Sequence, residues 1–356
     1  MARMVMVGMS GGVDSSVAAL LLKRRGYHVI GVTLRLRGGR LLEQGGEGGE
    51  KDIADAARVC AVMGIQHQVL DLSETFRQCV VEPFAREYLA GRTPNPCVIC
   101  NRTIKFGALL DYALEQGADY VATGHYAHSE YDEATGRWKL YRGASAKDQS
   151  YVLYSLSQEQ LEHTFFPLWG MEKEQVRAIA KEEGLPVAYK GDSMEICFVP
   201  GSGHAAFLEW YTGQKMEPGD FVSEDGVVLG RHQGIGRYTI GQRKGLGVAL
   251  GEPMYVINID APHNQVVLGR EGRQMASALV AEKINYLSIL PPEEPRRITA
   301  RIRYQAPDAP ALLTPLPDGK VRVDFDLPQR SITPGQAVVF YDGDLVLGGG
   351  TIVTRV

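Results

Sequence analysis

Gly8-Met9-Ser10-Gly11-Gly12-Val13-Asp14-Ser15-Ser16 is the stretch whose residue types and spacing carry the most chemistry. It follows a short apolar run, residues 4–9, and leads into a helical pattern over residues 15–25. Adjacent glycines let the backbone turn sharply enough for successive N–H groups to face one concavity. The helix behind them adds unpaired N–H groups and the positive end of its dipole. Ser10, Ser15 and Ser16 add hydroxyl donors. Together they describe an anion cradle at the carboxyl edge of a parallel sheet, where open α/β folds bind ligands. A plain tight turn with Asp14 or Ser15 as helix N-cap uses the same residue types. Gly8-x-Ser10-x-Gly12 also matches a nucleophile elbow in letters, but that elbow takes an oxyanion N–H from an earlier strand–helix loop. Only nine residues precede Ser10, too few for such a loop. The segment is neither a Walker A loop nor a dinucleotide G-x-G-x-x-G turn.

The second set of reactive residues is the thiols. Cys97-Val98-Ile99-Cys100 follows Thr93-Pro94-Asn95-Pro96, and the two prolines read as an extended, stiff approach to a helix beginning near residue 103. A thiol just ahead of a helix, with Arg102 and Lys105 nearby, is expected to have a lowered pKa and to act as a nucleophile. C-x-x-C is also half of a zinc site, though no second pair exists to complete it. A redox pair is a further reading, against which stand the flanking prolines and the lack of a preceding strand. Cys197 taken alone reads as a small buried hydrophobe. Taken with Cys100 it points to sulfur handling, with a persulfide formed on one thiol and resolved by the other. Cys60 and Cys79 lie in helical patterns and read as structural. Five sparse cysteines do not make a disulfide scaffold.

These residues need a scaffold, and the first half of the chain supplies one. Apolar runs at residues 4–9, 28–34, 66–71 and 120–123 alternate with helical patterns at 15–25, 51–63, 74–90 and 104–116. Such alternation predicts right-handed crossovers and an α/β fold with a doubly wound parallel sheet. Between Arg37 and Glu50 six glycines mark a surface loop without core-forming capacity. After about residue 200 short alternating runs punctuated by Gly, Pro and Asp take over, the pattern of antiparallel sheet or a small barrel. The outline is an α/β domain over 1–200, a small mixed α+β domain over 201–275 and an all-β domain over 276–356.

With 44% apolar and 22% charged residues the chain is of ordinary globular composition, and no apolar run approaches the length of a membrane span. The first apolar stretch is too short for a signal-peptide core, so a cytosolic protein is expected. The net charge of −4 gives no global sign of nucleic-acid binding, which leaves a local basic patch as the only electrostatic route to RNA. Arg296, Arg297, Arg301 and Arg303 gather around one predicted strand, residues 298–304, with Tyr304 available to stack on a base. Arg301 and Arg303 would share a strand face. A solvated strand face reads the same way.

Ser10-Gly11-Gly12-Val13-Asp14-Ser15 resembles the PP-loop of ATP pyrophosphatases, a superfamily that includes argininosuccinate, GMP and NAD synthetases. Further motifs narrow the resemblance. They are Gly91-Arg92-Thr93-Pro94-Asn95-Pro96 with Cys100-Asn101, Ile104-Lys105-Phe106, Ala122-Thr123-Gly124-His125-Tyr126 and Lys147-Asp148-Gln149-Ser150-Tyr151. Asp192-Ser193 with Ile196-Cys197-Phe198, Gly241-Gln242-Arg243-Lys244-Gly245-Leu246-Gly247 and Thr333-Pro334-Gly335-Gln336 continue it. From end to end the chain resembles the tRNA-specific 2-thiouridylases.

That resemblance implies ATP-dependent replacement of the C2 oxygen of a tRNA wobble uridine by sulfur. Gly8 to Ser15, Leu34 and Gly124 would bind ATP, with Mg²⁺ accompanying it and Asp14 as the metal's partner. Cys197 would carry a persulfide received from a donor protein or cysteine desulfurase. Cys100 would be nucleophile or resolving thiol, ending in a transient Cys100–Cys197 disulfide. The loop bearing Cys197 is expected to close over the site. Asn95, Pro96 and Cys97 would meet the target base of the anticodon loop. Lys147, Asp148, Gln149, Arg303 and Tyr304 would contact tRNA, with His125 and Gln336 tuning specificity. Many relatives carry Asp where this chain has Cys97. Cys97, Cys100 and Cys197 also number the three thiolates that hold an iron–sulfur cluster with one open iron, a secondary expectation. No dedicated protein-held metal is expected otherwise, and a monomer on tRNA is the default. The competing readings are another PP-loop adenylating enzyme acting on a small molecule and a non-catalytic zinc- or RNA-binding module.

Overall fold

The structure is a computed structural model that describes residues 2–39, 41, 49–192, 196–248 and 251–356. Most of the glycine-rich stretch between Arg37 and Glu50, expected as a surface loop, lies outside the described residues, as does Ser193 of the motif ahead of Cys197.

The first sheet is built from β1 (Met4–Gly8), β2 (His28–Arg35), β3 (Gln66–Asp71), β4 (Tyr120–Ala122) and, after the hairpin β5 (Ala127–Asp132) and β6 (Arg137–Arg142), β7 (Thr164–Phe165). It is parallel throughout, in the order β3-β2-β1-β4-β7. Val5, Met6 and Val7 are fully buried, as a strand covered on both faces requires. Helices α1 (Val13–Arg24), α2 (Glu50–Met63), α3 (residues 73–89), α4 (residues 96–115), α5 (Gln158–Glu162) and α6 (Lys173–Glu182) accompany it. The strand order reverses between β1 and β4, so a crevice opens beyond their carboxyl ends.

α3 and α4 each contain a π-helical stretch, Arg77–Val81 and Asn101–Ala108. Such stretches are uncommon and concentrate at functional sites. α4 also begins earlier than the prolines implied. Asn95 is its N-cap, with Oδ1 accepting from the Cys97 N–H at 3.2 Å, and Pro96 is its first residue. Proline's fixed φ suits a first helical position, where its missing N–H costs nothing. Cys97 and Cys100 therefore lie within the helix, not on a loop ahead of it.

α7 (His204–Thr212) precedes a mixed four-stranded sheet of β8 (Gly219–Ser223), β9 (Val228–His232), β10 (Tyr255–Asp260) and β11 (Gln265–Gly269), in the order β10-β11-β8-β9. The last six strands are β12 (Met275–Tyr286), β13 (Arg296–Arg301), β14 (Ala309–Pro315), β15 (Val321–Arg330), β16 (Ala337–Asp342) and β17 (Leu345–Arg355). They pair antiparallel in the order β12-β15-β14-β13-β16-β17, and β12 pairs with β17 to close a barrel. Its interior is filled by alternating residues such as Leu279, Ala281, Ile298, Ala300, Val321 and Val323. The hairpin β5–β6 extends this sheet, with Leu140 opposite Val346 and Tyr141 opposite Leu345. The barrel is thus hydrogen-bonded to the chain that leaves β4. β13 ends at Arg301, so Arg303 and Tyr304 sit on the following turn and do not share a strand face with Arg301. No helix among the described residues is long and apolar enough to cross a membrane.

Candidate active site

The crevice beyond β1 and β4 is a cavity of about 330 Å³. Gly8, Met9, Ser10, Asp14 and Ser15 line one wall, Leu34 at the end of β2 another, and Gly124 and His125 after β4 a third. Cys97, Cys100 and Lys105 from α4 and Cys197 complete it. The phosphate cradle and the two thiols expected to react thus share one enclosure.

Gly12 is the N-cap of α1, and no side chain caps the helix. Asp14 and Ser15 lie inside its first turn, so the capped-turn reading fails and the first N–H groups remain for a ligand. Ser10 N–H donates to Ser15 Oγ at 3.2 Å, and Ser16 Oγ donates to the Gly12 carbonyl at 2.8 Å. Gly11 has φ +68°, and a Cβ there would lie 2.6 Å from the Asp52 carbonyl oxygen. A Cβ on Gly124 would lie 2.6 Å from the Ser15 nitrogen. Both positions require glycine because backbone passes against backbone.

The structure adds cations that sequence reasoning missed. Lys173 Nζ donates to both Asp14 carboxylate oxygens, at 2.8 and 2.7 Å, and Tyr126 OH donates to Asp14 Oδ1 at 2.8 Å. Burial and the neighbouring Asp14 charge push the Tyr126 phenol well above its ordinary range, so it stays a donor. Asp14, expected as the partner of a nucleotide-bound metal, thus already has a counterion. Its carboxylate still lines the cavity and suits a hard cation. Lys190 Nζ supports the cradle from below, donating to the Gly11 carbonyl at 3.0 Å, Asp52 at 2.7 Å and Asp55 at 2.9 Å. The one sequence signal was the polar run Lys190-Gly191-Asp192 ahead of Cys197.

The thiols are not activated in the way their sequence setting implied. Burial pushes Cys100 up to about 11, against the pull of Lys105. Burial and the neighbouring thiols push Cys197 up to about 12, against Lys105 and Arg37. With α4 starting at Pro96, Cys100 sits a full turn inside the helix, and desolvation outweighs the dipole. Arg37, itself buried, donates to the Cys197 carbonyl. All five cysteines are free. Among the described residues no group of three His, Cys, Asp or Glu side chains stands ready to hold a metal ion, although Cys97, Cys100 and Cys197 all line the cavity. Burial holds His125 well below its usual pKa, leaving it neutral, with Nδ1 2.6 Å from Thr123 Oγ1.

Of the residues expected to meet RNA, some line the cavity and others stand outside its lining. Pro96, Cys97 and Gln149 line it, and the Cys97 side chain is exposed. Lys147 pairs with Asp192 at 3.1 Å. Asp148 accepts from the Gly143 and Ser150 N–H groups, so its carboxylate shapes the turn. Tyr304 OH donates to the Asp148 carbonyl at 3.2 Å, Arg303 Nη2 to the Ser331 carbonyl at 2.6 Å, and Gln336 Nε2 to the Pro94 carbonyl at 3.5 Å. The arginine cluster is not a bare basic face. Arg296 pairs with Asp342 at 3.0 Å, Arg297 with Asp326 and Arg301 with Asp308 at 2.9 Å.

Three domain families match in chain order: the tRNA methyl transferase HUP domain over residues 3–201, the tRNA methyl transferase PRC-barrel domain over 205–270 and the aminomethyltransferase beta-barrel domain over 276–352. The tRNA-specific 2-thiouridylase MnmA of Acetivibrio thermocellus is 52% identical over 354 residues, 98% of either chain. This chain belongs to the MnmA family. The MnmA of Heliobacterium modesticaldum is 51% identical over 98% of this chain and 92% of its own. Among solved structures, a 4-thiouridine synthetase–RNA complex with bound ATP is similar at 19% identity and a TM-score of 0.36, over 60% of this chain and 50% of that one. That likeness is distant.

Proposed function

We propose that this member of the MnmA family is a tRNA 2-thiouridylase that spends ATP to replace the C2 oxygen of the wobble uridine with sulfur. Uracil C2 is a poor electrophile because its oxygen leaves poorly. Transfer of AMP from ATP to that oxygen releases pyrophosphate and turns the oxygen into a phosphate-type leaving group. The N–H groups of Gly11 to Ser15 and the start of α1 stabilise the charge of the departing pyrophosphate. A divalent ion bound with the nucleotide would neutralise phosphate charge, and Asp14 would hold it.

The terminal sulfur of a Cys197 persulfide then attacks C2 and AMP leaves. Cys100 attacks the Cys197 sulfur as its proton passes to the pyrimidine N3 freed by the adenylation, which breaks the remaining S–S bond and leaves sulfur on C2 as the thione. The two cysteines end as a disulfide, reduced by an external thiol. Cys197 is loaded again by a persulfide-bearing donor protein. The target base has to leave the anticodon stack, which a single-stranded loop allows at low cost. On this reading Asn95, Pro96 and Cys97 meet it, and Lys147 to Gln149, Arg303, Tyr304, His125 and Gln336 hold the loop around it.

The observation that carries this reading is the convergence of the cradle, Cys100 and Cys197 on one cavity. An ATP–pyrophosphate exchange assay tests it. Exchange stimulated by tRNA supports the reading. Exchange stimulated instead by a small amide or acid acceptor would assign the chain to another PP-loop adenylation.

A further inference from the structure

Two carboxylates share one buried ammonium beneath the cradle. Lys173, 7% exposed, spends two contacts on Asp14, at 2.7 and 2.8 Å, and one on Asp192 at 2.8 Å. A lysine has three donors, so its capacity is used in full. Asp192 holds two further cations, Arg177 at 2.6 Å and Lys147 at 3.1 Å. Burial pulls the Asp192 carboxyl upward, yet hydrogen bonds and charge from Lys173 and Lys147 hold it at about 2, so it is an anion throughout the working range. Lys147 is the most open of the three cations, with 46% of its side chain exposed, against 28% for Arg177 and 8% for Lys173. It also lies in the stretch placed to meet RNA. A line of charges therefore runs from that stretch to the nucleotide cradle, Lys147 to Asp192 to Lys173 to Asp14.

We propose that this line couples RNA binding to nucleotide binding, with Lys173 as the positioning residue that divides its charge between Asp192 and Asp14. The proposal rests on the function given above. When an RNA phosphate engages Lys147, Asp192 loses one of its three cations and draws Lys173 more strongly. Asp14 then keeps less of its counterion and presents more negative charge to the cradle. A divalent ion accompanying the triphosphate gains from that charge, so RNA tightens the binding of metal-bound nucleotide. Linkage requires the nucleotide to tighten RNA by the same factor. The sign depends on the metal, because a less neutralised Asp14 repels a bare triphosphate.

The test measures binding and needs no turnover. The affinity of the full chain for α,β-methylene-ATP is titrated calorimetrically with Mg²⁺, with and without saturating anticodon stem-loop RNA. RNA is expected to tighten nucleotide binding by about tenfold, a usual size for a coupling between sites. Asp192→Asn and Lys173→Met should bring the ratio to roughly one, and Lys173→Arg should restore much of it. Lys147→Ala removes the same cation from Asp192 permanently, so nucleotide affinity without RNA should already rise toward the RNA-bound value and the ratio should fall to roughly one; this arm leaves Lys173 in place and covers the case of a misfolded Lys173 variant. Replacing Mg²⁺ by EDTA should abolish the tightening. If both ligands bind and RNA leaves the wild-type affinity unchanged, or if Lys147→Ala and Asp192→Asn keep the wild-type ratio, the proposal is wrong. Failure of the wild-type chain to bind nucleotide at all would contradict the function itself, and this coupling with it.

Discussion

The hydroxyl of Tyr304, on the turn after β13, donates to the backbone carbonyl of Asp148 at 3.2 Å. The contact ties the barrel to the segment between β6 and α5, and Gln336 repeats the tie at Pro94. Residues far apart in sequence thereby form one surface beside the cavity. Since Arg296, Arg297 and Arg301 are paired with carboxylates, the RNA contact proposed for this surface would draw on the Tyr304 ring as well as on charge.

Tyr304→Ala should therefore weaken tRNA binding by roughly tenfold, the scale of one lost base–aromatic stack. Tyr304→Phe, which keeps the ring and loses only the hydrogen bond, should bind nearly as well. Filter binding at fixed salt checks both, and equal losses in the two variants would assign the effect to the hydrogen bond.

Gly124→Ala places a methyl 2.6 Å from the Ser15 nitrogen and 2.7 Å from the Asp14 carbonyl carbon, both backbone atoms. Gly8→Ala places one 3.4 Å from the Leu109 side chain, an ordinary contact. Nucleotide binding should fall by about two orders of magnitude in the first variant and only severalfold in the second, since cradle geometry sets the hydrogen bonds. Titration calorimetry with an ATP analogue reads the difference.

The pH dependence of thiol reactivity follows from burial. Cys100, pushed up to about 11, is protonated at neutral pH. Its alkylation rate should rise about tenfold per pH unit from 7 to 10, since only the thiolate reacts. Peptide mass analysis after timed iodoacetamide pulses tests this. A rate flat above pH 7 would mean a thiolate already formed in the resting protein.

Lys190→Met leaves Asp52 and Asp55, both buried, without their shared ammonium. Loss of one partner from such a group costs about 3 kcal/mol, which denaturant unfolding measures. Burial raises the Asp55 pKa, but Lys190 and Arg58 bring it below its ordinary value. Its contribution to stability is thus present above the unfolded value near 4 and lost as pH falls through the folded value. The stability difference between wild type and variant should shrink on acidification.

The parts of the site that were legible in sequence are those whose chemistry is local. Gly8 to Ser16 build a cradle from contiguous residues, and the alternation of runs and helices places it at a sheet edge. The start of α4 was misread because Pro96 serves equally in an extended segment and at a first helical position, and only the Asn95 cap distinguishes them. The pairings of Lys173 and Lys190 could not be read from sequence because their partners, Asp14, Asp52 and Asp55, lie more than a hundred residues away. The strand 309–315 was obscured by Pro310 and Pro315, which break the usual strand signature. The hairpin β5–β6 shows alternation, but no local feature says that it will join the sheet of β17.

Nucleoside mass analysis of tRNA incubated with the purified protein, ATP, Mg²⁺ and a persulfide-bearing donor tests the central claim most directly. Wild type should accumulate 2-thiouridine at the wobble position, while Cys197→Ser and Cys100→Ser accumulate none yet still release pyrophosphate when tRNA is added. Accumulation of 2-thiouridine by Cys197→Ser at the wild-type rate would contradict a sulfur carried on that cysteine.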